Sequence, residues 1–315
     1  MRTTKRVDRT KLRAPFSTLG FVIKQNDSRA QQLGERIIKD VLKIVPEAKI
    51  YIEKNTRTKT KKFPSLPVET LLNKVEVAIV VGGDGTILRC TRAMLEGRGW
   101  QNCSVLGVNA GKIGFLAALS GSNAAKRIAP LLRRPELFHL EQRSCLRVSV
   151  YRHEKLFESF HVLNDCVLSK GSLSRLFEFH LDINGEFISS YRADGMIISP
   201  PTGSTAYNLA AGGAILQPTI PAIQLTPICP QHFSNKPIVV SDENEIVLRL
   251  GKHSSDVYLT FDGQRGLQVK DEDRLVITRS EKSIRFLAPK SEVKSHFFHS
   301  LRQKLNWGLV EAPST

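Results

Sequence analysis

The chain reads as an α/β domain with a parallel sheet, followed by a β-rich domain and a closing helix. Three observations predict this. Strand and helix patterns alternate as far as residue 109, the pattern of a parallel sheet with crossover helices. From about residue 140 the texture changes to short β-rich runs parted by turn residues. The stretch 293–307, "VKSHFFHSLRQKLNW", has an amphipathic helical pattern. A length of 315 residues suits two domains, each with its own core.

"LGFVIK" (19–24) is a short apolar strand, and "SRAQQLGERIIKDVLKIV" (28–45) places Ala30, Leu33, Ile37, Ile38, Val41, Leu42 and Val45 at helical spacing. "KIYIE" (49–53) predicts a second strand before a basic loop at 54–67. "VEVAIVV" (75–81) is a near-continuous β-rich run, as a parallel strand buried on both faces requires. "TILRCTRAML" (86–95) predicts a helix and "CSVLGVN" (103–109) a strand. Further strands are expected at 146–152, 160–169, 177–185, 186–192, 194–200, 246–250, 257–263 and 274–280. "INGE" (183–186) carries the Asn-Gly hairpin signal. No internal repeat or low-complexity segment is evident.

Composition is that of a soluble globular protein, with 41% hydrophobic and 24% charged residues. No apolar run reaches the roughly 18–20 residues that span a bilayer, so no membrane span is expected. Five scattered cysteines without a CxxC pair argue against disulfide staples and a zinc ribbon, and for a reducing compartment such as the cytoplasm. The net charge of +16 favours anionic partners. Part of the excess is local: Arg2, Lys5, Arg6, Arg9, Lys11 and Arg13 crowd the N-terminus, and "KNTRTKTKK" fills 54–62. Both read as solvated basic segments, residues 1–17 as a disordered extension with a weak likeness to an organelle transit peptide. No nucleic-acid-binding signature is present, and a polyphosphate substrate would also suit the charge.

"IVVGGDGTIL" (79–88) sets an acid between glycines at a strand end that leads into a helix. Free N–H groups at a helix start suit phosphate. The stretch is neither GxxxxGK[ST] nor GxGxxG. A carboxylate beside phosphates is repelled unless a metal intervenes or it accepts a proton from an attacking hydroxyl, and both roles suit phosphoryl transfer. The alternative is a turn with Asp84 as a helix N-cap. "PPTGSTAYNLAAGGAIL" (200–216) offers small residues, hydroxyls and one tyrosine for a base and ribose, or else forms a surface loop. "VLNDCVLSKG" (162–171) offers an amide to an adenine edge and an acid to ribose hydroxyls, or else is a polar strand end.

Together these stretches resemble the NAD kinase family, over about residues 18–308. The motifs are "GGDGT" (82–86), "GVNAGKIGFL" (107–116), "LNDCVLSKG" (163–171), "RADGMIISPPTGSTAYNLAAGG" (192–213), "TPICP" (226–230) and "DGQ" (262–264). The resemblance implies a two-domain fold whose C-terminal segment returns to the first domain. The expected boundaries are 18–140, 141–285 and 286–315. It implies transfer of the ATP γ-phosphate to the 2′-hydroxyl of the adenosine ribose of NAD, making NADP, with Mg²⁺ on the ATP phosphates. It also implies a homodimer or homotetramer, with no nucleic-acid or membrane partner.

On this resemblance Asp84 matches the proton acceptor. Gly82, Gly83, Gly85 and Thr86 match the phosphate-facing loop, and Arg89 a basic position on the next helix. Asn164 and Asp165 match the nucleotide-binding pair, and Arg175, Arg192 and Asp194 match positions near the dinucleotide. Thr202, Thr205, Ala206, Tyr207, Asn208, Leu209 and Ala210 match the base-and-ribose pocket, and Gln264 a late ligand position. The chain departs from the family pattern at Asp165, where Glu is commoner, at Pro200–Pro201, at Gln231–His232 and at Lys236. A lipid kinase sharing the glycine loop and a non-catalytic nucleotide sensor or nucleic-acid binder are the competing readings.

Overall fold

The computed structural model describes residues 16–56, 63–111, 114–121, 123–171, 176–251 and 256–305, without the side chains of 123 and 292–296. The chain forms two compact units, one of residues 1–141 and 285–315, the other of 142–284. The basic extension 1–15, most of the basic cluster 54–62 and Arg175 lie outside the described residues. Phe16 and Ser17, assigned above to that extension, belong to the fold. Phe16 is buried, and the Ser17 backbone N–H donates to Glu76 at 2.6 Å.

The first unit runs β1 (Thr18–Ile23), α1 (Ser28–Ile44), β2 (Lys49–Glu53), β3 (Ser65–Leu66), α2 (Val68–Lys74), β4 (Val77–Val81), α3 (Asp84–Glu96), α4 (Gly99–Asn102), β5 (Ser104–Asn109), β6 (Leu119–Ser120) and α5 (Asn123–Arg133). Its strands lie in the order β3-β2-β1-β4-β5, and every pair is parallel. All of β4 is buried, as its unbroken apolar run requires. Helix α1 is capped by the Asp27 carboxylate, which accepts the Ala30 N–H at 3.1 Å, and buries Ala30, Leu33, Ile37, Ile38 and Val41. These residues and α5 form one core with β1, β2, β4 and β5.

The strand order reverses between β1 and β4. β1 is followed outward by β2 and β3, and the chain then crosses back to lay β4 and β5 on the other side. Such a switch point leaves a crevice beyond the carboxyl ends of the two strands. Those ends are Ile23 and Val81, paired in register.

The second unit contains most of β7 (Phe138–Arg152), then β8 (Lys155–Val162), β9 (Cys166–Lys170), β10 (Phe177–Ile183), β11 (Glu186–Ala193), β12 (Gly195–Ser199), α6 (Tyr207–Ala210), β13 (Ala222–Ile228), β14 (Ile238–Ser241), β15 (Ile246–Leu250), β16 (Val257–Phe261), β17 (Arg265–Val269) and the first part of β18 (Asp273–Pro289). One antiparallel sheet has the order β14-β13-β12-β9-β16-β17, and β11-β10-β15-β18 forms another run. Their inward faces share a core that includes Leu168, Met196, Ile198, Phe179, Leu181 and Leu248. Asn184 and Gly185 turn the β10–β11 hairpin with φ of 52° and 80°, the pair of positive values a type I′ turn needs. β18 carries the chain back to the first unit, where Phe286 pairs with Val105 of β5 and α7 (Lys290–Leu305) follows.

Three expectations change. The single strand expected at 160–169 is two, β8 and β9, broken at Leu163–Asp165. The N–H groups of those three residues donate not to a neighbouring strand but to the carboxylate of Asp262. Helix α3 begins at Asp84 rather than Thr86, so the acid lies inside the first turn. β18 runs on to Pro289, nine residues past the expected end at 280. Helices α2, α4, α5 and α6 and strands β3, β6, β13, β14 and β17 have no counterpart among those expectations. Among the described residues no helix is long and apolar enough to cross a membrane, and all five cysteines are free.

Candidate functional site

In the first unit the switch-point crevice is an open pocket of about 480 Å³ lined by Lys24, Gln25, Asn55, Gly83, Gly85, Thr86 and Arg89. Lys24 and Gln25 follow β1, Asn55 follows β2, and the others belong to the start of α3. Gly83 caps α3 without a side-chain bond. The Thr86 N–H turns back to the Gly83 carbonyl at 3.0 Å, and the N–H groups ahead of it, of Asp84 and Gly85, face the position a phosphate takes at a helix start. Gly82 packs against Thr86 and Lys24, two of the lining residues. A Cβ there would stand 2.6 Å from Thr86 Oγ1, so the tight packing of this turn requires glycine.

Arg89 lines the pocket from one turn further along α3. Its guanidinium makes a two-point pair with Glu53, Nη1 to Oε1 at 2.6 Å and Nη2 to Oε2 at 2.9 Å. Glu53 is only 1% exposed. Its carboxylate therefore fixes the arginine plane, and this hydrogen bond raises the Arg89 pKa further.

Asp84 is not among the residues lining this pocket. Its carboxylate takes the N–H of Phe115 on Oδ2 at 3.1 Å and the N–H of Leu116 on Oδ1 at 3.3 Å. Lys304 of α7 donates to Oδ2 at 3.0 Å. Gly114 lies against the same carboxylate, and a Cβ at 114 would collide with it. The N-cap alternative for Asp84 does not hold: the cap is Gly83, and Asp84 is the first helical residue.

In the second unit three segments converge. Asp262, at φ 50° after β16, accepts the N–H groups of Leu163, Asn164 and Asp165 at 3.1, 2.7 and 3.1 Å. An ionised carboxylate is an acceptor only, which matches three donors. Gly203 packs against the backbone of Asn164, where a Cβ would collide. The "ND" turn, the "PTGSTAY" loop and the "DGQ" turn thus meet. Asp165 is buried, and that burial, with Asp262 behind it, pushes its carboxyl up to about 7. The buried hydroxyls of Ser199 and Thr202 have no partner among the described residues, as expected of groups that await a polar ligand.

The predicted pocket residues divide. Tyr207 and Ala210 are exposed, Thr205, Ala206 and Leu209 half-buried, and Thr202 buried. Asn208 is fully buried, with Oδ1 accepting the Thr226 hydroxyl and Nδ2 donating to the Ser204 carbonyl at 3.4 Å. It holds the loop from inside. Gln264 is exposed on the turn with Asp262. Arg192 and Asp194 stand apart, at the far end of β12, where Gly195 pairs with Ser169 while Ile198 pairs with Cys166 beside Asp165. Three residues of rise separate Gly195 from Ile198, about 10 Å.

Sequence reasoning did not single out Lys24, Gln25, Asn55, Glu53, Asp262 or Lys304 as site residues. Lys24 and Gln25 follow a strand end at the switch point, a signal that was readable. Glu53 and Lys304 reach their partners through the fold, and no local pattern marks them; Asp262 opens the "DGQ" motif, but nothing local ties it to the 163–165 turn.

The ATP-NAD kinase N-terminal domain matches residues 19–136, and the ATP-NAD kinase C-terminal domain matches 163–288. An NAD kinase of Solibacter usitatus is 34% identical over 295 residues, covering 93% of this chain and 98% of its own length. The chain belongs to the NAD kinase family. An NAD kinase of Syntrophobacter fumaroxidans is 42% identical over 233 residues, 74% of this chain and 79% of the relative. Two solved structures share the fold. Yeast NADH kinase complexed with NADH has a TM-score of 0.80 at 22% identity, covering 96% of this chain and 91% of that one. An NAD kinase from Archaeoglobus fulgidus in complex with ATP has a TM-score of 0.67 at 24% identity, covering 91% and 98%. Membership in the NAD kinase family sets aside the lipid-kinase and sensor readings.

Proposed function

We infer that this chain transfers the γ-phosphate of ATP to the 2′-hydroxyl of the adenosine ribose of NAD, making NADP, with Asp84 as the proton acceptor. The NAD kinase relatives, matched along nearly the whole chain, support the reaction. For Asp84, the carrying observation is its place in the first turn of α3, between Gly83 and Gly85, which both line the pocket. A ribose hydroxyl is a weak acid, so the proton moves to Asp84 late, as the new P–O bond forms.

In this reading Lys24, Gly83, Gly85, Thr86 and Arg89 take the phosphates, with Gly82 shaping their loop. In the second unit Asn164, Asp165, Thr202, Thr205, Ala206, Tyr207, Leu209, Ala210 and Gln264 bind the dinucleotide, and Asn208 supports their loop. Arg175, Arg192 and Asp194 are carried from the family likeness as residues near the dinucleotide. Mg²⁺ on the ATP phosphates keeps most of its waters and needs few protein ligands. It draws charge from the phosphates. A cytoplasmic homodimer or homotetramer is part of the same proposal, and light scattering of the purified protein tests the assembly.

The test is NADP formation from NAD and Mg-ATP by the wild type and by Asp84→Asn, which keeps shape and removes the base. Wild-type turnover with a loss of about 10²-fold or more in the variant is the expected result. An unaffected variant removes Asp84 from the role of base, and a folded wild type without turnover on NAD or NADH overturns the function.

A further inference from the structure

The carboxylate of Asp84 is gripped from outside its own helix. Oδ2 receives two donors, the Phe115 N–H at 3.1 Å and the Lys304 ammonium at 3.0 Å, while Oδ1 receives the Leu116 N–H at 3.3 Å. Lys304 lies 220 residues further along the chain. Its Nζ also stands 4.8 Å from the centre of the Phe115 ring, within cation–π range. One turn earlier on α7 the buried Ser300 hydroxyl donates to the Gly114 carbonyl at 3.3 Å. Residues four apart share a helix face, so Ser300 and Lys304 both fasten α7 to the 114–116 loop. That loop also supplies the N–H groups to Asp84.

We propose that Lys304 is a positioning residue for phosphoryl transfer: it holds Oδ2 of Asp84 and leaves Oδ1 to take the proton of the attacking hydroxyl. The proposal rests on the base role of Asp84. An ionised carboxylate has about four acceptor sites, two on each oxygen. Oδ2 gives both to Phe115 and Lys304. Among the described residues Oδ1 gives one to Leu116, at a length beyond the usual N–H···O range. Among the described residues the acceptor site without a donor is on Oδ1. The ribose O–H bond breaks toward it, the hydroxyl oxygen forms a bond to the γ-phosphorus, and the P–O bond to ADP breaks.

The ammonium has a second effect. A carboxylate beside a triphosphate is repelled, and a cation 3.0 Å from the oxygen not in use offsets that charge. An exposed ion pair alone contributes little. This one is fixed from several sides, by a ring, a hydrogen-bonded helix turn and two backbone N–H groups.

The experiment measures kcat and KM, for NAD and for Mg-ATP, in the full chain as wild type, Lys304→Met, Lys304→Arg, Asp84→Asn and the Asp84→Asn/Lys304→Met double variant. Melting temperatures are recorded alongside. Met keeps the stem over Phe115 and removes only the ammonium. The expected result for Lys304→Met is a loss of about tenfold or more in kcat, the effect of one charged hydrogen bond. Both KM values should hold within about twofold. Arg should recover most of the loss. In the Asp84→Asn background the same change should cost less than about twofold, because Lys304 acts through Asp84. A merely structural role would multiply the losses and follow the melting temperature. Multiplied losses, or wild-type kcat in Lys304→Met beside an impaired Asp84→Asn, overturn the proposal and leave the base role standing. Wild-type kcat in Asp84→Asn overturns both.

Discussion

The backbone N–H of Asp165 donates to Oδ1 of Asp262 at 3.1 Å, so two acids share one buried turn of the second unit. Among the described residues only Asp262 has backbone donors to balance its charge there. Burial first, and Asp262 second, push the Asp165 carboxyl from its ordinary 3.8 to about 7. The folded chain then keeps a proton that the unfolded chain has released. Stability from this group is full below about pH 4 and declines as pH rises to about 7. Asp165→Asn carries no charge and escapes the decline. We expect the variant to melt near the wild type at pH 4–5 and above it at pH 8, by about 2–4 °C for each kcal/mol. Melting curves that stay parallel across this range would show that Asp165 is not protonated in the fold.

The pair of Glu53 and Arg89 predicts an asymmetry. Arg89→Ala strands a buried carboxylate, while Glu53→Gln leaves a neutral amide in the same place. The first should cost about 2–4 kcal/mol of stability, less than a fully buried pair because Arg89 is one-third exposed. The second should cost less. Both should raise the KM for Mg-ATP while leaving the KM for NAD unchanged, since one removes and the other releases a cation lining the pocket. Denaturant melts and two-substrate kinetics decide this, and an unchanged ATP KM in both variants would free Arg89 from phosphate binding. Arg89→Lys should not rescue, because an ammonium cannot make the two-point contact.

Glycines near the loop divide into two kinds. A Cβ at Gly114 meets the Asp84 carboxylate, whereas one at Gly85 meets nothing within 4 Å. Gly114→Ala should displace Asp84, the proposed base, and lower kcat by about 10²-fold, as Asp84→Asn is expected to. Gly85→Ala should leave the fold intact, or steady α3 by up to ~1 kcal/mol, and lose activity only through weaker ATP binding. Steady-state kinetics at saturating Mg-ATP separate the two: Gly85→Ala recovers there and Gly114→Ala does not.

Much of this protein was written locally. The apolar run at 77–81, the stripe on α1, the Asn184–Gly185 turn and the "GGDGT" loop each follow from short-range periodicity or from what glycine permits. The motifs also led to the family, because each is contiguous. The "ND" segment misled for the same reason. Val and Leu on either side predict a strand, and only Asp262, 98 residues from Asn164, breaks it by capturing three N–H groups.

The tertiary structure alone decided what each acid does. Glu53 fixes Arg89, Asp262 ties the turn that buries Asp165, and Lys304 holds Asp84. These are pairings between distant residues, and a single sequence has no period or spacing that records them. Their energetics depend on burial and on the direction of a few donors, which exist only once β1 and β4 are side by side and α7 has docked on the 114–116 loop.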